Sequence, residues 1–227
     1  MALTHAETQA FYDRFGRKQD TQSFYEDAAL DVLVDNAAFE QAHHVFELGC
    51  GTGRFALRLL KDHLPSEASY LGVDLSQTMV EIARERLAPY ETRARVVKSD
   101  GAIRFPLADH SVDRVIATYV LDLLAEHDIE QVLDEARRVL KPGGMLCLMS
   151  LTKGVNVASR IVCKLWNAVY RMNARLVGGC RPIRLAPLFD NPEWSITFQT
   201  VITQFGVPSE ILVAVPAPMQ STEGNPT

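Results

Sequence analysis

The sequence predicts an α/β fold: a doubly wound, mostly parallel seven-stranded sheet with an antiparallel final strand, N-terminal helices and a helical cap insert. Three observations predict it. Short apolar runs alternate with stretches of helical periodicity, which implies βαβ units and parallel strands. A glycine cluster directly follows the first apolar run, where open parallel sheets meet their ligands. After a long interruption, two β-rich segments read as an antiparallel pair that closes the sheet edge.

Residues 6–41 read as helical, because "SFYEDAALDVLVDNAAF" repeats apolar residues at spacings of three and four. "HVFEL" (44–48) is a buried strand, and a helix follows from Gly53 to His63, stopped before Pro65. "YLGVDL" (70–75) is the second strand, and Ser76 is the N-cap of the helix "QTMVEIARERL" (77–87). "ARVVKS" (94–99) and "SVDRVIATY" (111–119) are the third and fourth strands. A helix at 129–140 ends at "KPGG" (141–144), before a fifth strand, "MLCLMSL" (145–151). "SITFQTVI" and "SEILVAVP" flank "TQFGVP" as the final pair. The expected organisation is one domain over 1–216: N-terminal helices 6–41, a core at 44–151, an insert at 152–194 and a strand pair at 195–216. The polar tail 217–227 is expected to be disordered.

The chain of 227 residues is 47% hydrophobic, enough for one sizeable core. Its net charge of −5 gives no whole-chain nucleic-acid signature. No apolar run is long enough for a membrane span. The first residues lack a basic stretch followed by an apolar core, so a cytoplasmic location is expected. Cys50, Cys147, Cys163 and Cys180 form no CxxC pair, and free thiols are expected.

The segment "VFELGCGTGR" (45–54) carries the chemistry. Its glycines allow a tight turn and let a ligand approach bare backbone. A dinucleotide site would use G-x-G-x-x-G with a pyrophosphate on the helix N-terminus. Here Gly49, Gly51 and Gly53 give G-x-G-x-G, and Arg54 stands where the last dinucleotide glycine would be. Glu47 precedes the loop; a carboxylate there suits a cation better than a pyrophosphate. Asp74 ends the second strand, where a carboxylate accepts hydrogen bonds from both ribose hydroxyls, at roughly 1.5–3 kcal/mol each. The ligand predicted is a cationic riboside with no required phosphate.

Together "VFELGCGTGRFALRLL", "YLGVDLSQTMVEIARERL", "VVKSDGAIRFPLADHSVDRVIATYVLDLL" and "RRVLKPGGMLCLMSL" resemble a class I S-adenosylmethionine-dependent methyltransferase. The likeness is to the small-molecule group that includes ubiquinone/menaquinone C-methyltransferases and phospholipid N-methyltransferases. It implies a Rossmann-like fold and S-adenosyl-L-methionine as cofactor. It also implies roles. Glu47, Gly49, Cys50, Gly51 and Gly53 would line the methionine part, and Asp74 would hold the ribose. Leu75 and Met79 would border the adenine, Asp100 would bond its amino group, and Gly101 would add a backbone contact. Thr118 and Tyr119 would lie near the sulfonium, with Tyr12 and Phe15 closing over the cofactor. A helix-capping or turn role for Asp100 and a plain core role for Leu75, Met79 and Tyr119 remain the competing readings.

Methyl transfer from a sulfonium is an in-line displacement, so alignment and exclusion of water suffice unless the acceptor must lose a proton. No catalytic residue is therefore assigned; Tyr12, Tyr119 and His127 are candidates. The sequence lacks a D/N-P-P-Y/F run after the fourth strand, a Pro-Cys nucleophile and a magnesium-type Asp plus Asp-Asn set in place, so no metal is expected. The expected acceptor is a small, lipophilic molecule, with nucleic acid disfavoured. A non-catalytic cofactor-binding scaffold, a protein or RNA methyltransferase and a nicotinamide-dependent oxidoreductase are the alternatives, the last opposed by Arg54 and Glu47.

Residues 151–189 contain no Asp or Glu and seven cations: Lys153, Arg160, Lys164, Arg171, Arg175, Arg181 and Arg184. Within them, 157–177 reads as one amphipathic helix, its apolar face centred on Ala158, Ile161, Leu165, Val169, Met172 and Leu176. Two readings stand. The apolar face packs on the domain and the basic face is solvated, or the segment makes a peripheral contact with anionic membrane over the acceptor pocket.

Overall fold

The computed structural model describes residues 3–218, apart from the side chains of residues 158, 175 and 176. Most of the expected tail, and the helix positions Ala158, Arg175 and Leu176, therefore lie outside the described residues or side chains.

The N-terminal region folds as α1 (His5–Phe15), a 3-10 stretch (Gly16–Gln22) and α2 (Ser23–Asn36). It is broken where one helical region was expected, because Gly16 caps α1 at φ +51°. At the other end Thr4 and Glu7 form a reciprocal capping box. The core follows as β1 (His44–Leu48), α3 (Arg54–Arg58, continued by a π turn to His63), β2 (Ser69–Asp74), α4 (Gln77–Leu87), β3 (Ala94–Lys98), β4 (Val112–Thr118), α5 (Glu126–Val139) and β5 (Leu140–Leu151). The insert carries α6 (Val157–Met172), and β6 (Trp194–Gln204) and β7 (Val207–Pro216) end the described chain.

The sheet has seven strands in the order β3-β2-β1-β4-β5-β7-β6. β1 pairs with β2 and β4 in parallel, as do β2 with β3 and β4 with β5. β7 runs antiparallel to both β5 and β6, which gives the expected single reversed strand. Alternate side chains feed two cores. Cys147, Met149, Ile211 and Val213 face the side covered by α2, α3 and α4. Leu146, Leu148, Leu212 and Ala214 face the side covered by α5 and the returning insert.

Two expectations need correction. "KPGG" does not separate α5 from β5; it lies inside β5. The ladder with β4 steps from Val112↔Leu140 to Arg114↔Met145, so Lys141–Gly144 form a bulge, with Gly143 at φ +77°. The insert helix stops at Met172, because Asn173 leaves helical space at φ −160°, ψ 103° and a 3-10 turn covers Ala174–Val177. Its buried side is also not the expected apolar face. Ser159 and Cys163 are buried, whereas Ile161, Leu165 and Met172 are exposed.

Candidate functional site

The strand order reverses direction around β1, and the loop after β1 lies at that switch point. The amides of Gly49 and Cys50 both donate to the Val73 carbonyl of β2, at 2.8 and 3.0 Å, fixing the turn against the neighbouring strand. A Cβ on Gly49 would lie 2.4 Å from Val120 Cγ2, and Gly49 sits at φ +69°. Gly51 differs. At φ +52°, its open side meets only the Gln19 amide, 3.9 Å away. Bare backbone is thus presented to a cavity.

Asp74 stands beside it. Its Oδ2 accepts the Gly51 N–H at 2.9 Å and its Oδ1 accepts the Ser76 N–H at 2.8 Å. Burial pushes the carboxyl up to about 6, against these hydrogen bonds. Ser76 caps α4 as expected, accepting from the Met79 N–H at 3.2 Å. Its hydroxyl also donates to Asp13 of α1 at 2.6 Å, which pins α1 across the start of α4.

A cavity of about 330 Å³ opens here. One wall carries Asp74, Leu75, Met79, Gly101 and Ile103; α1 supplies His5, Gln9 and Tyr12; Thr118, Tyr119, Val120 and Leu123 close the far side. A smaller lobe of about 50 Å³ adjoins it, lined by Glu47, Cys50 and Thr52 among others. Gln19, Gly49, Gly51, Thr118 and Tyr119 border both. Glu47 is buried, accepts the Tyr70 hydroxyl at 2.5 Å, and is pushed up to about 7 by burial.

The 3-10 stretch is tied down over this smaller lobe. Arg86 bonds Asp20 at 2.5 Å and the Thr52 carbonyl at 3.0 Å, and the Thr52 hydroxyl donates to Asp20 at 2.6 Å. Gln19 is thereby held over Gly51 with its buried Oε1 lacking any hydrogen-bond partner among the described residues. A buried amide oxygen without a donor is costly, and it fits a ligand that brings one.

At the far side, Tyr119 holds φ +54°, an uncommon conformation for a bulky residue, with its N–H on the Met149 carbonyl at 2.7 Å. Its hydroxyl pairs with Ser209 at 2.7 Å. Tyr12 reaches Cys180 Sγ at 3.9 Å. Burial raises both phenols well above the ordinary tyrosine range. Behind them Asp122 is sealed, with both carboxyl oxygens lacking partners among the described residues.

Most sequence-predicted positions thus converge. Glu47, Gly49, Cys50 and Gly51 border the small lobe, and Asp74, Leu75, Met79, Gly101, Thr118 and Tyr119 the large one. Four expectations fail on placement. Gly53 lies outside both linings; it lets α3 approach α4, since a Cβ there would sit 3.0 Å from that of Ala83. Asp100 is exposed and accepts the Ala102 N–H at 2.9 Å, so it closes the turn that carries Gly101. His127 is exposed on α5 beside Gln131, outside the cavity. Phe15 stacks on Phe11 at 5.3 Å outside the lining, so of Tyr12 and Phe15 only Tyr12 borders the cavity. Sequence reasoning missed Gln19, His5 and Asp128, none of which belongs to a motif.

Residues 45–144 match the family model of a methyltransferase domain. Over that stretch the chain is similar to class I S-adenosylmethionine-dependent methyltransferases. Among curated relatives, it is 32% identical over 126 residues to the tRNA N(3)-methylcytidine methyltransferase Mettl2 of Drosophila melanogaster, covering 54% of this chain and 39% of that one. It is 31% identical over 144 residues to a malonyl-[acyl-carrier protein] O-methyltransferase of Marinomonas sp., covering 63% and 51%. The chain thus spans about half of these relatives' length or less. Magnesium protoporphyrin IX methyltransferase from Synechocystis, solved with bound SAH, superposes at a TM-score of 0.62 with 18% identity, over 84% of this chain and 81% of that one, a likeness of fold. The methyltransferase domain's cofactor, S-adenosylmethionine, fits the residues present. Gly51 offers bare backbone, Gln19 an unpaired buried acceptor, and Asp74 a carboxylate at the cavity wall.

Proposed function

We propose that the protein transfers the methyl group of S-adenosylmethionine to a small, lipophilic acceptor. The observation that carries this reading is the shared border of the two lobes: Gln19, Gly49, Gly51, Thr118 and Tyr119 join a polar recess to a larger chamber. When bound, the cofactor supplies an electrophilic methyl group together with its own leaving group. Glu47, Cys50, Gly51 and Gln19 line the methionine part, and Asp74 accepts the ribose hydroxyls. Leu75, Met79 and Gly101 border the adenine, with Asp100 acting only through its turn. Thr118 and Tyr119 lie by the sulfonium.

The acceptor side is walled by Leu3, Tyr12, Val120 and Leu123, which supports an apolar substrate. Tyr12 and Tyr119 keep their protons at neutral pH, since burial raises both. They orient the acceptor as hydrogen-bond donors rather than accept its proton. Alignment and exclusion of water then supply the acceleration.

A tRNA acceptor is the second reading, favoured by the Drosophila relative's activity and by the cations of 151–189. The test is methyl-labelled S-adenosylmethionine offered with a total lipid extract and, separately, with total tRNA. Label is expected in the organic phase, in a product lost with Asp74→Asn. Label in tRNA alone would replace the lipophilic acceptor, and label in neither would overturn the reading.

A further inference from the structure

We propose that the outer face of α6 docks on an anionic lipid surface. The helix is anchored from inside. Ser159 and Cys163 are buried, and the Trp166 indole N–H donates to the Cys180 carbonyl at 2.9 Å. Asn156 and Ser159 close a capping box at its start. What it turns outward is apolar. Val157 is 73% exposed, Ile161 55%, Leu165 64% and Met172 84%. At 100° per residue these four fall within about 80° of arc. Most of the large apolar side chains exposed on the described surface lie in the stretch from Val155 to Met172.

The patch extends beyond the helix. The β6–β7 turn abuts α6, since a Cβ on Gly206 would come 3.0 Å from Val162. That turn presents Phe205, 72% exposed, which pairs with exposed Phe24 at 5.6 Å between ring centroids. An exposed apolar surface of this kind marks a site of contact.

Charge identifies the occupant. Arg160, Lys164 and Arg171 lie within about 40° of arc immediately beside the apolar ridge. They and Lys153 and Arg184 are exposed, and none forms an ion pair among the described residues. No carboxylate occurs from 151 to 189. The basic segment leaves a charge of −12 on the rest of the chain, so the face itself is what an anionic surface meets. Apolar residues with cations along one edge are the pattern of a helix lying in a bilayer interface. A protein partner would have to bring both a greasy groove and a row of acids; anionic lipid supplies both at once.

The docked face lies behind the cavity. Trp166 holds the turn at Cys180, and Cys180 touches Tyr12 of the cavity wall. Docking would therefore bring that wall near the bilayer, where a lipophilic acceptor partitions. This link rests on the proposed methyl transfer; the docking does not.

The test is co-sedimentation of the protein with vesicles of phosphatidylcholine alone and of phosphatidylcholine mixed with phosphatidylglycerol. The proposal expects binding to the mixed vesicles and at least about tenfold weaker binding to the neutral ones, with loss of binding at high salt. The triple variant Arg160→Gln, Lys164→Gln, Arg171→Gln should weaken binding by on the order of 100-fold. Ile161→Ser with Leu165→Ser should weaken it comparably while leaving the charges in place. Circular dichroism and S-adenosylmethionine binding of the same variants stay at wild-type level, so a failure of docking is separable from a failure of the methyl-transfer reading. Equal binding to both vesicle types, binding to neither, or a stable dimer that buries Met172 overturns the proposal.

Discussion

Asp122 is a carboxyl with no exposure, and its oxygens complete no well-formed hydrogen bond among the described residues, although Cys180 and Ser150 lie beside it. Burial raises it from an ordinary 3.8 to about 7. The folded value lies above the unfolded one, so between these limits the folded protein holds a proton that the unfolded chain has released. Stability therefore falls as pH rises through this window, and the penalty is complete above the folded value. Asp122→Asn should be more stable than wild type at pH 8, by roughly 1–3 kcal/mol, and the difference should shrink towards pH 4. Thermal melts at both pH values check this; a pH-independent difference would contradict it. Gln19 gives a second prediction at this scale. Gln19→Ala removes the unpaired acceptor above Gly51 and should weaken S-adenosylmethionine binding about tenfold, with folded stability unchanged or raised. Calorimetry and a melt together separate the two effects. Single residues were unevenly legible. Gly51 and Asp74 announced themselves because a bare loop and a strand-end carboxylate have few other uses. Gln19 did not, because only the folding of the 3-10 stretch across the loop gives its amide a role. Asp100 and His127 misled because position along the chain says nothing of which way an exposed side chain turns.

At the scale of elements, Glu210 of β7 ties the returning insert to the sheet. Its carboxylate accepts the Leu185 N–H at 2.9 Å, the Thr152 hydroxyl at 3.0 Å and the Gln199 amide at 2.8 Å. Glu210→Ala strands the Leu185 N–H and the Thr152 hydroxyl in a buried place and should cost on the order of 3 kcal/mol. Faster hydrogen exchange in 183–189 than in β1 would show that the loss is local to the insert; uniform protection would contradict it. The parallel strands were legible because strands buried on both faces read as continuous apolar runs. The bulge at Lys141–Gly144 was not, because Pro and Gly punctuate helix ends and bulged strands alike. The orientation of α6 was not either. Its apolar stripe follows helical period, and period alone does not say whether the stripe faces a core or a membrane.

At the scale of the whole molecule, the N-terminal helix, the 3-10 stretch and the carboxyl ends of β1, β2 and β4 enclose one cleft, held by Asp13 on Ser76 and by Asp20 on Arg86. A ligand that binds only this assembled form must stabilise it. At a hundredfold excess over its dissociation constant, S-adenosylmethionine should add about 2.7 kcal/mol, read as a rise in melting temperature that NADH does not reproduce. The fold class and strand order were open to reading because they repeat along the chain. The acceptor chamber was not, because it is assembled from α1, the loops after β3 and β4 and the start of α5, which are remote in sequence; the insert, expected to cap it, lines neither lobe with its described residues. The most direct test of the central claim is calorimetric titration of S-adenosylmethionine, S-adenosylhomocysteine and NADH into the wild-type protein and Asp74→Asn. Binding of the first two, weakened roughly 10–100-fold in the variant by loss of charge-assisted bonds to the ribose, with none for NADH, is the result predicted. Binding of NADH alone, or equal binding of S-adenosylmethionine by both proteins, would contradict it.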